Sequence, residues 1–212
     1  MSLSRVKVLL PVLLLLVVAG AGRAQNVVSM RGDTVSYYPA VALKTNLLYD
    51  AALVPNVGME IALGKQWTFA ADWFYTWFSS NRRHRYWQAY GGYLGVRRYF
   101  TPPNSSSAER GFTGHHVGLY ALGMTYDVEW GGRGYQAARF GFGAGVEYGY
   151  SLPISHRLNL DFSLGLGFQD GEYKEYDPED GHYVWQSTRQ RHWWGPTKAE
   201  VSLVWVLDKV RK

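Results

Sequence analysis

Residues 158–169 constrain this chain more than any other stretch. Six large apolar residues, Leu158, Leu160, Phe162, Leu164, Leu166 and Phe168, alternate there with Asn159, Asp161, Ser163, Gly165, Gly167 and Gln169. A period of two assigns each set to one face of a strand. The run exceeds the ~5–6 residues of an ordinary strand and suits the ~9–11 of a tilted strand crossing a bilayer. Its second face is small and polar. A solvated strand face disfavours Gly, whereas the interior of a small closed barrel needs short side chains. The pattern predicts lipid on one side and a narrow polar lumen on the other.

The alternation recurs over 40–50, 56–63, 67–78, 86–100, 112–126, 139–151 and 192–207. With 158–169 this predicts an all-β chain, an eight-stranded antiparallel transmembrane up-and-down β-barrel. Over 40–50, Leu43, Leu47 and Tyr49 face outward; over 67–78, Trp67, Phe69, Trp73, Tyr75 and Trp77 do so. Two registers compete for 112–126. The one with Tyr120, Leu122, Met124 and Tyr126 outward is preferred, because it sends Asp127 and Glu129 to the lumen. With the N-terminus periplasmic, loops 79–86, 127–138 and 170–190 and the short connection 51–55 fall on the outer side. Turns 64–66 and 152–157 and the longer 101–111 face the periplasm.

The N-terminus reads as a targeting segment. Arg5 and Lys7 precede an apolar run from Val8 to Ala19, too short to span a bilayer and of signal-peptide length, with small residues Gly22 and Ala24 before a cleavage point. The expected organisation is a signal peptide over 1–24, a periplasmic lead-in over 25–38 and the outer-membrane barrel domain over 39–212. The net charge of +5 includes Arg5, Lys7 and Arg23, so the mature chain carries +2 and its basicity does not point to nucleic acid. The mean hydropathy of −0.23 beside 47% hydrophobic residues fits interleaved rather than blocked apolar positions. The absence of Cys rules out disulfides, thiolate metal sites and a lipidated N-terminal Cys.

Three groups of residues are candidates for function. Lys44, Glu60, Asp72, Arg97, Glu147, Asp161, Lys198 and Glu200 point inward and should pair, since isolated charges in a low-dielectric lumen are costly. This ion network would plug the barrel; a proton path or acid–base pair is the sharper alternative. Arg82, Arg83, Arg85, Arg189 and Arg191, with Trp193 and Trp194, form a basic, aromatic outer rim suited to lipopolysaccharide phosphates. In loop 170–190, Glu172, Tyr173, Glu175, Tyr176, Asp177, Tyr183 and Trp185 interleave acids with aromatic anchors, a pattern suited to a protein partner. Adjacent His115 and His116 point to opposite strand faces and cannot share a metal. No metal or cofactor is expected, and the glycine runs 141–145 and 165–167 lack phosphate-loop spacing. Ser187 and His192 are the one local pair for a lipid A deacylase-like chemistry, with no acid partner or oxyanion hole assigned.

Several phrases together resemble a known family: 43–50 (Leu-Lys-Thr-Asn-Leu-Leu-Tyr-Asp), 82–87 (Arg-Arg-His-Arg-Tyr-Trp), 129–135 (Glu-Trp-Gly-Gly-Arg-Gly-Tyr), 145–153 (Gly-Val-Glu-Tyr-Gly-Tyr-Ser-Leu-Pro) and 191–200 (Arg-His-Trp-Trp-Gly-Pro-Thr-Lys-Ala-Glu). They are similar to a domain-of-unknown-function family of small outer-membrane barrels from Bacteroidota, over about 40–207. The resemblance implies no assigned activity or catalytic residue, and a genomic setting near fimbrillin-like adhesins. The expected function is therefore a non-enzymatic outer-membrane barrel with a plugged lumen, anchoring or scaffolding a surface assembly through its outer loops. Its expected partners are outer-membrane lipid, lipopolysaccharide and surface adhesin or fimbrial proteins, with no nucleic acid. A lipid A-modifying enzyme and a small pore are the alternatives.

The expected orientation is testable by labelling. Single cysteines at Arg83 or Gly132 should react with an impermeant maleimide on whole cells, and those at Lys65 or Ser155 only after lysis. The reverse pattern overturns the orientation.

Overall fold

The computed structural model describes residues 41–63, 66–80, 85–100, 112–130, 132–155, 157–179 and 182–207. The expected signal peptide, the lead-in and the 101–111 turn lie outside the described residues. In chain order the elements are β1 (Val41–Asn46), α1 (Leu47–Ala51), β2 (Asn56–Ala62), β3 (Trp67–Ser80), β4 (Arg85–Phe100) and β5 (Gly114–Trp130). They continue with β6 (Arg133–Ala137), β7 (Gly141–Pro153), β8 (Leu158–Glu179) and β9 (His182–Val206).

All nine strands belong to one antiparallel sheet that closes into a ring. Eight of them make the ring: β1 to β5 pair in sequence, β5 pairs β7, β7 pairs β8, β8 pairs β9, and β9 returns to β1. The short β6 fits between β5 and β8 where β7 has not yet begun. Register gives the stagger. From Leu43 the partners run through Met59, Ala71, Leu94, Ala121, Ala144 and Phe168 to Trp194, yet Leu43 itself pairs with Trp205. The offset is eleven residues (205 − 194), one of them the bulged Thr197 where the β8–β9 register shifts. With a rise of ~3.3 Å and strand spacing of ~4.8 Å, that stagger tilts the strands by roughly 40°.

The two faces of the ring differ in kind. Val57, Leu94, Leu119, Val146, Leu164 and Leu166 are exposed on the outside, Leu119 by 67%. The inside holds two small apolar layers. Ala42, Tyr99, Phe112, Val204 and Val206 form one, and Ala70, Tyr93 and Tyr120 with Leu122 form the other. Inward glycines leave the room that these side chains need: a Cβ on Gly165 would sit 2.7 Å from the Tyr120 ring, and one on Gly149 would sit 2.5 Å from the His116 ring.

Four sequence expectations change. The first strand ends at Asn46 rather than 50, so Leu47 and Tyr49 lie on a helix and not on an outward strand face. The reason is local: Asn46 Oδ1 accepts from the Leu48 N–H as an N-cap, and Asp50 accepts from Thr45 and Asn56. Secondly, β5 takes the register that was not preferred. Tyr120 is inward and only 4% exposed, while Val117 and Leu119 face out. Tyr120 fills the space over Gly165, packs at a tilt 5.8 Å from Tyr93, and its hydroxyl meets Thr197 Oγ1. Asp127 and Glu129 accordingly sit on the opposite strand face from Tyr120, away from the lumen. Thirdly, 127–138 is not a loop but the β5–β6 hairpin. Fourthly, 170–190 is not a loop: β8 and β9 run on as a paired hairpin, and the last strand starts at His182 rather than 192.

A close backbone approach on the inner face yields a stability prediction. A Cβ on Gly167 would fall within contact distance of the Ala144 carbonyl and 2.8 Å from Gly145 Cα. Backbone cannot yield as a side chain can, so Gly167→Val should cost about 1–3 kcal/mol. The temperature at which unboiled protein loses its compact gel mobility should fall for Gly167→Val and stay unchanged for Ala144→Val, whose side chain is exposed on the outer face.

Candidate functional site

The inward charges converge on Arg97. Its Nε lies 2.7 Å from Glu147 Oε1, NH2 lies 2.7 Å from Glu200 Oε2, and NH1 lies 3.1 Å from Glu60 Oε2 and 3.5 Å from Asp161 Oδ2. Lys198 bridges Glu147 at 2.5 Å and Glu200 at 2.8 Å, with its ammonium 3.4 Å from the Tyr93 ring centre. Lys44 approaches Asp72 at 3.6 Å and Glu200 at 3.5 Å. The eight charged residues expected in the lumen therefore occupy one connected cluster.

Neutral groups complete it. Thr68 and Tyr99 donate to Glu60 at 2.6 and 2.9 Å, Tyr93 donates to Glu147 at 2.8 Å, and Ser163 donates to Glu200 at 2.9 Å. His116 Nε2 sits 2.8 Å from Asp161 Oδ1, and its ring packs 4.9 Å from Tyr99. Every ring strand contributes at least one member. The cluster lies between the Tyr99–Phe112 layer and the Tyr93–Tyr120 layer, and Arg97, Glu60, Asp161 and His116 have no exposure. Neither of the two cavities bounded by the described residues is lined by these groups. Its chemistry is that of a cross-strand brace: every carboxylate meets a cation or His116, solvent is excluded from the groups around Arg97, and the small residues between them fix the distances.

His116 is the member that sequence reasoning missed. With Tyr120 placed outward, His116 follows it outward; the inward register brings it to Asp161. The available signal was the outward alternation Val117, Leu119, Ala121, which competes evenly with Tyr120, Leu122, Met124 until the space over Gly165 is known.

The rim residues separate. Arg82 and Arg83 lie outside the described residues, and Arg85 opens β4 opposite Ser80. Arg189 and Arg191 lie on the face of β9 opposite to Trp194: Arg189 contacts Glu175 at 3.5 Å and Arg191 lies 5.7 Å over the Trp193 ring. Trp194 faces out, 77% exposed, against Phe168. Alternation turns Trp194 alone to the other face of β9, while Arg189, Arg191 and Trp193 share one face.

The acidic residues of the hairpin are already engaged. Arg139 meets Glu172 at 2.5 Å, Arg189 meets Glu175, and Arg133 reaches Asp177 at 4.0 Å. Tyr173 packs 6.2 Å from Tyr135, Tyr176 is buried with its hydroxyl donating to Asp127 at 2.7 Å, and Trp185 is exposed. Tyr183 pairs with Pro178 along the backbone. Ser187 and His192 lie on opposite faces of β9: Ser187 donates to Glu175 at 3.3 Å, and His192 Nδ1 lies 2.8 Å from Asp170. The structure does not bring that pair together. His115 packs outward on Tyr148 and Tyr150.

Removing one partner from a buried ion cluster strands the rest. Asp161→Ala leaves His116 and Arg97 short of a carboxylate, and Lys198→Ala leaves Glu147 and Glu200 facing each other. Each should cost ~3–5 kcal/mol, read as a large fall in the gel-shift melting temperature. Glu172→Ala, which breaks an exposed pair, should change it by no more than ~1 kcal/mol.

No curated protein and no solved structure matches the chain. A family model matches residues 12–207, nearly the whole sequence, under the description "Protein of unknown function (DUF3575)". The chain belongs to that uncharacterised family, DUF3575.

Proposed function

We propose that this chain is a non-enzymatic outer-membrane β-barrel, plugged by its ion network, that anchors or scaffolds a surface assembly through the extensions at one end. The observation that carries the reading is the outer face of the ring. Between Arg98 and His115 at the turn end and Asp127, Asp170 and His192 at the other, no outward position among the described ring residues is charged. Along β3 the outward residues run from Trp67 to Trp77, ten steps. That is about 33 Å of strand and, at the tilt given by the stagger, about 25 Å of height, which suits the hydrocarbon layer.

Aromatic rings gather at both ends of this band, as they do where hydrocarbon meets headgroups. At one end Arg98 covers Trp67 and Phe100, and His115 joins Tyr148 and Tyr150. At the other, Trp73, Tyr90, Phe140 and Phe142 form a chain of ring contacts, beside Phe168 and Trp194. A water-soluble sheet would bury such a face.

The scaffold role is supported by the β8–β9 hairpin. It continues from Asp170 to Glu179 beyond the band, about 30 Å of paired strand, with Glu175 facing Arg189 across the hairpin and Glu172 and Asp177 meeting Arg139 and Arg133 beside it. The inner cluster disfavours a small pore, and the separation of Ser187 from His192 disfavours a deacylase.

Two measurements test the reading. Reconstituted protein should show tryptophan quenching by bromolipids and no steady conductance in planar bilayers; a robust ion-selective open state sinks the plug. Replacing 172–182 with a short Gly-Ser turn should leave the barrel heat-modifiable but abolish capture of cross-linked surface partners from intact cells. Unchanged capture removes the hairpin from the scaffold role.

A further inference from the structure

Beyond the ring, register builds a second polar arrangement that none of the preceding functions uses. Gln88 pairs with Asp127, Asp127 with Gln136, and Gln136 with Lys174. Paired residues share a face, so these four side chains form one row across β4, β5, β6 and β8. The next row runs Tyr86, Glu129, Gly134, Tyr176 and Trp185. Gly134 is required there: a Cβ would collide with the Tyr176 ring, which lies across it. From that position the Tyr176 hydroxyl donates to Asp127 Oδ1 at 2.7 Å, and Gln136 Nε2 donates to Asp127 Oδ2 at 3.0 Å. The polar row and the aromatic row bound a cavity of about 350 Å³, within the ordinary size of a ligand site.

The chemistry of the lining selects the ligand. Asp127 offsets Lys174, and Glu129, buried in the aromatic row, adds negative charge beside them, so the cavity does not favour an anion. Asp127 is the carboxylate that lines it, and no cluster of three or more His, Cys, Asp or Glu suited to a metal occurs among the described residues. An apolar ligand would desolvate the Gln88 amide, the Lys174 ammonium and the carbonyl end of Gln136 without pairing them, which is costly. Two amides, a carboxylate and an ammonium offer donors and acceptors in turn, as vicinal hydroxyls require, since each hydroxyl both donates and accepts. The exposed Trp185 and the half-buried Tyr86 supply flat apolar surfaces for the C–H face of a pyranose ring. Three strand spacings make the row about 14 Å long, longer than one pyranose ring. Strand-borne residues hold this geometry better than loop residues would.

We propose that this cavity binds a neutral oligosaccharide, through hydrogen bonds from Gln88, Asp127, Gln136 and Lys174 and stacking on Tyr86 and Trp185. The sugar could be carried by a glycolipid headgroup or by a free surface glycan. The proposal does not depend on the chain crossing a membrane.

The test uses the purified full chain in detergent and the tryptophan fluorescence change on titration. The probes are core oligosaccharide released from lipopolysaccharide by mild acid and then dephosphorylated and carboxyl-reduced so that it is neutral, intact rough lipopolysaccharide, and UMP as a flat heteroaromatic control. Binding of the released oligosaccharide, weakened at least tenfold in both Gln136→Ala and Gln88→Ala, is the expected result. Trp185→Ala should weaken binding similarly when followed by calorimetry. Binding of intact lipopolysaccharide alone, lost in the same two variants, supports the site with a glycolipid as the source. Three outcomes overturn the proposal: no binding of either saccharide probe, binding undiminished in variants that keep wild-type heat-modifiability, or UMP binding as tightly as the oligosaccharide.

Discussion

Arg97 is the point on which the closed sheet depends. From β4 its guanidinium engages carboxylates from β2, β7, β8 and β9, and three of those carboxylates also meet Lys198, Lys44 or His116. Backbone ladders hold each strand to its two neighbours. Only contacts across the lumen hold a strand to the opposite wall. A planar, permanently charged group with five donors is suited to that task, because it binds several carboxylates in fixed directions at once.

This polar brace takes the place that an apolar core occupies in an ordinary domain. Buried ion clusters often add little net stability over apolar packing, because desolvation offsets attraction. In a ring whose outer face is apolar there is a different benefit. Apolar side chains on both faces would leave each strand without a preferred side, and a slip of one residue would cost little. With charges inside, the same slip places Arg97 and its carboxylates on the outside, so register is strongly specified. The two apolar layers around the brace keep water from competing with its ion pairs, and the inward glycines let the brace fit.

Above the brace the sheet changes character. β5, β6, β8 and β9 extend beyond the ring, and alternation there places polar rows on the same face that is apolar lower down. The transition is abrupt, with Asp127, Asp170 and His192 marking it around much of the ring. Acids of the hairpin pair with Arg133 of β6, with Arg139 just after it and with Arg189 of β9, which ties the projecting strands to one another.

How much of this was legible beforehand follows the range of each interaction. Alternation is a local property, so residues 158–169 declare a strand, its two faces and its length, and the inward placement of Arg97, Glu147, Asp161 and Glu200 follows from the same parity. Closure of the sheet was also readable, since an apolar outer face on strand after strand leaves the polar face no other place than a lumen. Several features depended on residues distant in sequence. Both registers of β5 alternate equally well, and only the space over Gly165 on β8 decides that Tyr120 and His116 turn inward. The hairpin over 170–190 carries no apolar alternation, and its strands exist because β6 and β9 supply backbone partners and arginines. α1 was too short for periodicity, and a single N-cap at Asn46 sets it. The row from Gln88 to Lys174 joins four strands through register alone. Strand identity and facing were thus determined by the sequence itself, because side-chain parity is set within a few residues. Register, bulges and the cavity were decided by the tertiary structure, because they depend on which backbone lies alongside.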